Sequence, residues 1–165
     1  MGKILRINMT DMTVKTEVLG EYAGLGGRAL TSSIIAREVP PLCHPLGPNN
    51  KLVAATGLLT GTSAASSGRF HVGCKSPLTG GIKEGNSGGL VSQKLARLGY
   101  SAVVLEGKPE DGKLRMVSIN KDKAEILPAD EYKNMGNYET VDKLWEKYGK
   151  VGIVSIGPAG EQKLC

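Results

Sequence analysis

The spacing of hydrophobic residues along this chain changes several times, and each change marks an element. Lys3–Asn8 (KILRIN) alternates, breaks at Thr10–Asp11–Met12, and alternation resumes over Val14–Val18, which predicts a β-hairpin. Ala29–Val39 places Leu30, Ile34, Ile35 and Val39 at helical spacing, and Pro40 and Pro41 stop that helix. Leu52–Thr56 reads as a short buried strand. Further on, Val91–Leu98 is helical and ends at Gly99, and Ala102–Leu105 is a second buried strand. Leu114–Ile119 and Ala124–Leu127 form a hairpin over Asn120–Lys123. Asn137 caps a helix that runs to Tyr148 with Val141, Leu144, Trp145 and Tyr148 on one face. Val151–Ile156 predicts a last strand leading into Gly157–Glu161 (GPAGE).

Between these regular ends, residues 57–90 lose periodicity and become rich in Gly, Ser and Thr. Linkers share that composition. This stretch also holds Phe70–Val72, proline-containing turns and charges at non-repeating positions, so it predicts ordered loops around a site. A weak internal echo links Gly26–Gly27, with its helix and following strand, to Gly88–Gly89 with theirs. Two pseudo-repeated strand–helix–strand units account for it.

Composition narrows the function. The chain has 165 residues, enough for one domain with a real core or two very small ones, and 23 of them are glycine, roughly twice the ~7% average. With one Trp, one Phe and five Tyr, this predicts backbone brought close to something, or many tight turns. The net charge of +5 raises the question of nucleic acid, but the basic residues are dispersed and stacking aromatics are few, so none is expected. No apolar run reaches the ~18 residues of a membrane span, and the N-terminus MGKILRIN lacks a signal-peptide apolar block. The expectation is a cytoplasmic protein. Cys43, Cys74 and Cys165 are odd in number and widely spaced, unlike a disulfide framework.

Several motifs fail on physical grounds. Gly24–Ala29 (GLGGRA) fits a dinucleotide-binding glycine pattern, but no acidic residue follows about 20 positions on, where a ribose ligand belongs. It is a helix-opening turn. Gly68–Ser76 (GRFHVGCKS) approaches a P-loop, yet Cys74 separates the second glycine from Lys75 and displaces the lysine. His71 and Cys74 stand three apart, so on a strand they face opposite sides, and neither they nor Cys43–His44 supply a zinc set. What remains is a group of Gly-rich turns carrying Arg69, Lys75, Asn86 and Ser87. Glycine-freed N–H groups with Arg and Asn side chains suit an anionic, hydrogen-bonding ligand such as a phosphorylated heterocycle. Turns that merely connect strands are the other reading.

The runs NKLVAATGLLTGT, SSGRFHVGCKSPLTGG, NSGG, LGYSAVVLEGK and SIGPAGE, in this order and spacing, resemble the N-terminal domain of the tungsten-containing aldehyde ferredoxin oxidoreductase family. The likeness extends from GKILRINM to GPAGE. It implies an oxidoreductase that converts an aldehyde and water to a carboxylate, with electrons passing from a tungsten bis-pterin through a four-iron four-sulfur cluster to ferredoxin. In that family this domain is the base on which the pterins lie. The resemblance assigns the arginine of the SGRF segment, Arg69, to a bridge between pterin and cluster side. It assigns Asn86, Ser87 and Gly88 of the NSGG segment to pterin and phosphate; Lys75, singled out by its chemistry alone, is a lesser candidate. It also implies a single α+β domain over 1–165, built of two β-sheet-rich halves, each with a helix, in a barrel-like arrangement.

The family's cluster-binding cysteines and acid–base residues lie in later domains, and Cys43, Cys74 and Cys165 lack the clustered spacing of iron–sulfur ligation. The expectation is therefore half a cofactor site, no cluster ligated by this chain and no turnover by the chain alone. Its partners are then the pterin, the downstream domains or a complementary subunit, and ferredoxin for the complete enzyme. The alternative is a non-catalytic interaction or assembly module that uses the same surface and self-associates into a homo-oligomer through an exposed apolar face.

Overall fold

A computed structural model describes residues 2–162. The chain divides into two compact units, Met1–Glu110 and Asp111–Cys165. The class is α+β, as expected.

In the first unit, β1 (Lys3–Asn8) and β2 (Thr13–Val18) form the predicted hairpin. The Asn8 carboxamide oxygen accepts from the Thr10 and Asp11 amides and closes the turn. A single 3₁₀ turn (Gly20–Tyr22) then leads into α1 (Gly27–Glu38), whose N-cap is Gly26. GLGGRA is thus a helix-opening turn, and the helix starts two residues before the apolar pattern does. Next come β3 (Lys51–Thr56), β4 (Phe70–Lys75), β5 (Ile82–Ser87), α2 (Leu90–Arg97) and β6 (Tyr100–Glu106). The strands lie in the order β2-β1-β6-β3-β4-β5, with β1 and β6 parallel and the other pairs antiparallel. Among the described residues this sheet has two free edges, β2 and β5, and does not close into the expected barrel.

Helix α1 packs on β3 and β4, and the core joins Leu30, Ile34 and Ile35 to Ile4, Val53, Ala55, Ala102 and Val104. Alternation sends Leu5 and Ile7 of β1 to the opposite face, and they are equally buried. Gly73 allows the close approach of α1, because a Cβ there would fall 2.8 Å from the Thr31 side chain.

The C-terminal end of α1 is fastened by charge. Glu38 accepts from both terminal nitrogens of Arg6 at 2.7 Å and from the Tyr22 hydroxyl at 2.9 Å. Arg6 also reaches Glu17, and Lys51 pairs with Glu106. Burial pushes the Glu38 carboxyl up, but the bonds from Arg6 and Tyr22 and the charges of Arg6 and Lys51 outweigh it. The carboxyl therefore lies below its ordinary value. The Tyr22 phenol is pushed up to about 12, first by burial and then by its bond to Glu38.

Residues 57–90 correct the expectation of loops alone, because β4 and β5 form a hairpin within them. Its sequence is disguised: Gly73 interrupts the apolar face of β4, and β5 is an edge strand with almost every residue exposed. Such a strand is held by backbone pairing rather than by an apolar stripe.

The second unit contains β7 (Arg115–Ile119), β8 (Ala124–Pro128), a 3₁₀ turn (Asp130–Tyr132), α3 (Asn137–Tyr148) and α4 (Gly157–Glu161). The hairpin over Asn120–Lys123 is as predicted. Asn137 is not the cap. Gly136 holds that position, and the Asn137 side-chain oxygen accepts from the Ser155 hydroxyl at 3.1 Å. Of the predicted apolar face, Leu144 is buried while Trp145 and Tyr148 are exposed. The Trp145 indole N–H donates to the Val151 carbonyl at 3.0 Å. Val151–Ile156 is not a strand: an apolar run without a ladder partner stays irregular, and GPAGE becomes α4.

The echo between Gly26 and Gly88 falls on two helix-to-strand passages, but a closer correspondence lies elsewhere. Hairpin, 3₁₀ turn, glycine N-cap and twelve-residue helix recur 110 residues later, Tyr22 matching Tyr132 and Gly26 matching Gly136.

Candidate functional site

The β4–β5 hairpin gathers the four predicted residues at one end of the edge of the sheet. Arg69 immediately precedes β4, and Asn86 and Ser87 end β5, opposite His71 and Phe70 respectively. The Arg69 guanidinium donates to the Asn86 side-chain oxygen at 3.4 Å, so residues 17 apart in sequence meet. Ser87 donates its hydroxyl to the Gly88 carbonyl at 3.1 Å. Gly88 and Gly89 connect β5 to α2, and a Cβ on either would meet nothing within 4 Å. Gly89, at φ +109°, is the N-cap of α2 in a conformation that L side chains rarely adopt. Bare main chain, a helix start and one guanidinium therefore share one exposed corner. All four residues are exposed.

Lys75 is not part of this corner. It lies six residues along β4 from Arg69, about 20 Å at strand rise, and its buried ammonium donates to the Pro41 carbonyl. Cys74 and His71 face opposite sides of the strand. Burial pushes the Cys74 thiol up against the opposing charge of Lys83, which keeps it a poor nucleophile. Cys43 packs against the first core, and Cys165 lies outside the described residues. Among the described residues no three His, Cys, Asp or Glu groups come together as a metal set.

Two open clefts lie away from this corner. One, of about 400 Å³, is lined by the charged fastening of Arg6, Glu17, Tyr22 and Glu38. The other, of about 260 Å³, is lined by Lys51, Leu52, Cys74, Leu105 and Lys108. Neither touches Arg69 or Asn86.

The sequence reading missed a second polar group beside the corner. His71 Nδ1 donates to Glu84 at 2.6 Å, and the other carboxylate oxygen accepts from Arg28 Nε at 3.0 Å. The His71 bond, with a smaller contribution from Arg28, holds the Glu84 carboxyl below its ordinary value. The signal was only latent: His71 follows Arg69 by two, and Glu84 precedes Asn86 by two, but pairing them requires the register of the hairpin.

The family described as aldehyde ferredoxin oxidoreductase, N-terminal domain, matches residues 4–165. The chain belongs to the aldehyde ferredoxin oxidoreductase family. Within that oxidoreductase family, it is 42% identical over 168 residues to the tungsten-containing aldehyde ferredoxin oxidoreductase of Pyrococcus horikoshii, covering 99% of this chain and 27% of that protein. The enzyme of the same description from Pyrococcus furiosus is 41% identical over 165 residues, with 97% and 27% covered. The chain thus spans about a quarter of the length of these curated relatives. Among solved structures, the active site complex BamBC of benzoyl coenzyme A reductase, in complex with 1,5-dienoyl-CoA, superposes with a TM-score of 0.82. It is 30% identical, covering 88% of this chain and 22% of that one.

Proposed function

We propose that this chain is the pterin-cradling N-terminal domain, residues 1–165, of a tungsten-dependent aldehyde oxidoreductase. The observation that carries this reading is the meeting of Arg69 and Asn86 beside the open Gly88–Gly89 main chain, on a chain whose relatives are tungsten-containing aldehyde ferredoxin oxidoreductases. Its donors are of the right kind. An exposed guanidinium gives charge-assisted bonds to phosphate oxygens, and main-chain N–H groups at a helix start add favourable dipoles. Arg69 would hold the anion by charge, Asn86 and Ser87 would orient it, and Gly88 would let it approach the main chain. When bound, a tungsten bis-pterin supplies the redox chemistry that takes an aldehyde and water to a carboxylate. The residues of this chain bind and orient it and carry out no bond-breaking step.

In this reading the four-iron four-sulfur cluster is ligated outside residues 1–165, downstream domains or a complementary subunit complete the site, and ferredoxin is the redox partner in the cytoplasm. The isolated chain is non-catalytic. The two-half architecture belongs to the same reading, supported by the recurrence of hairpin, turn and helix 110 residues on.

The test is co-expression of the chain with the downstream part of a relative in tungstate-supplemented cells, followed by tungsten and pterin analysis of the purified assembly. Arg69→Ala should lower pterin and tungsten content about tenfold or more, and aldehyde oxidation with them. Full cofactor content in both Arg69→Ala and Asn86→Ala would overturn the assignment. A chain that self-associates and takes up no pterin would support the interaction module instead.

A further inference from the structure

The edge strand β5 presents three of the four proposed cradle residues or leads into them, yet little holds it. Among the described residues one long side of its backbone is unpaired, and five of its six residues are exposed. The exception is Glu84, whose side chain keeps 10% of its exposure. A carboxylate at the only sheltered position of an exposed strand needs partners, and it has them from two other elements. His71 of β4 donates to one oxygen and Arg28, in the first turn of α1, to the other. An ionised carboxylate only accepts, so His71 carries its proton on Nδ1. The imidazole is braced from behind, since a Cβ on Gly27 would come within 3.0 Å of its Nε2. Antiparallel register and alternation place Arg69, His71, Glu84 and Asn86 on one face, where His71 stands opposite Asn86 and reaches diagonally to Glu84, as Arg69 reaches diagonally to Asn86.

We infer that His71, Glu84 and Arg28 are positioning residues of the cradle, a latch that fixes β5 against α1 so that Asn86, Ser87 and Gly88 meet the anion in one geometry. This rests on the cradle reading above. Nothing in the latch touches the ligand; it acts through Asn86 and the two residues that follow it. Preorganised donors lose less freedom on binding, so loosening the strand weakens anion capture without removing a donor.

The experiment compares the full 165-residue chain with its Glu84→Gln and His71→Gln variants, neither of which changes a proposed ligand-contacting residue. Amide hydrogen exchange followed by NMR should accelerate about tenfold at Gly85 and Ser87, whose amides face β4, and stay unchanged at Val53 and Val104 in the sheet centre. Inorganic pyrophosphate, titrated calorimetrically, should bind about fivefold more weakly to either variant. In an Asn86→Ala background the same substitutions should cost clearly less than in the parent, a coupling that a merely structural role would not produce. Unchanged exchange at Gly85 and Ser87, or exchange that accelerates equally at Val53 and Val104, would overturn the latch. If pyrophosphate bound the parent chain no better than Arg69→Ala, the cradle reading would fail, and the exchange result would still decide whether the latch holds β5.

Discussion

The two hairpin–turn–helix segments, one in each unit, share a backbone and differ in what they fasten to. In both, the tyrosine amide of the 3₁₀ turn donates to the residue three before it, at 2.9 Å for Tyr22 and 3.0 Å for Tyr132. Leu25 and Met135 then donate back to those tyrosines, and a residue with positive φ, Gly24 or Asn134, turns the chain toward a glycine N-cap. The helix positions facing inward also correspond: Ile34 and Leu144 are both buried. The far ends of the helices do not correspond. In the first unit Glu38 is gripped by Arg6 and Tyr22, with Lys51 at 3.7 Å. In the second, the matching position is Tyr148, exposed, with the Lys147 ammonium over its ring. Local turn chemistry is therefore enough to shape the motif. The ionic fastening is an addition available only where a sheet brings β1 and β3 beneath the helix.

The largest way to break this contrast is Glu38→Ala. It leaves the Arg6 guanidinium and the Tyr22 hydroxyl without their acceptor, and it should destabilise the chain by about 2–3 kcal/mol in urea unfolding. That is the low end for a buried pair, because Arg6 and Glu38 keep about a fifth of their side-chain exposure. Tyr148→Ala at the matching position should cost less than about 1 kcal/mol. Equal losses would mean that the ionic fastening contributes nothing.

The same fastening should also show in pH. Glu38 has a depressed carboxyl, so its contribution is present above the ordinary carboxylate value and is lost as pH falls through the lower folded value. Tyr22 is raised, so its contribution is present below 10 and is lost as pH rises from there through about 12. Melting temperature measured from pH 8 to 12 should fall more in the parent than in Tyr22→Phe. Parallel curves would show that the phenol is not the titrating group.

The smallest effect concerns the shared turn. Gly24→Ala puts a Cβ at φ +83° and should cost about 1 kcal/mol, whereas Asn134→Gly should change stability by no more than about 0.5 kcal/mol because asparagine tolerates that region. A large gain from Asn134→Gly would show that the second turn is strained in a way the first is not.

How much of this was legible depends on which force shapes each element. The β1–β2 and β7–β8 hairpins, α1 and α3 were readable because alternation or a 3.6-residue period repeats over enough positions in each. The β4–β5 hairpin was not. Ile82–Ser87 has one sheltered residue, a glutamate, and an edge strand defined by backbone pairing leaves no apolar period in its own sequence. Val151–Ile156 failed in the opposite sense: its apolar character is genuine, but a strand also requires a neighbour. Arg69, Asn86, Ser87 and Gly88 were legible as residue types suited to an anion and through their family motifs. That they share one corner, and that Lys75 does not, follows only from the register of β4 on β5. His71 and Glu84 were invisible as partners for the same reason.

Trp145 is the only tryptophan of the chain, and its indole is bound within the second unit to Val151. Intrinsic fluorescence excited at the indole band thus follows the second unit alone, whereas far-ultraviolet dichroism sums over both. One sample in one titration then yields two melting curves, and the gap between their midpoints measures how independently the two halves of this chain come apart.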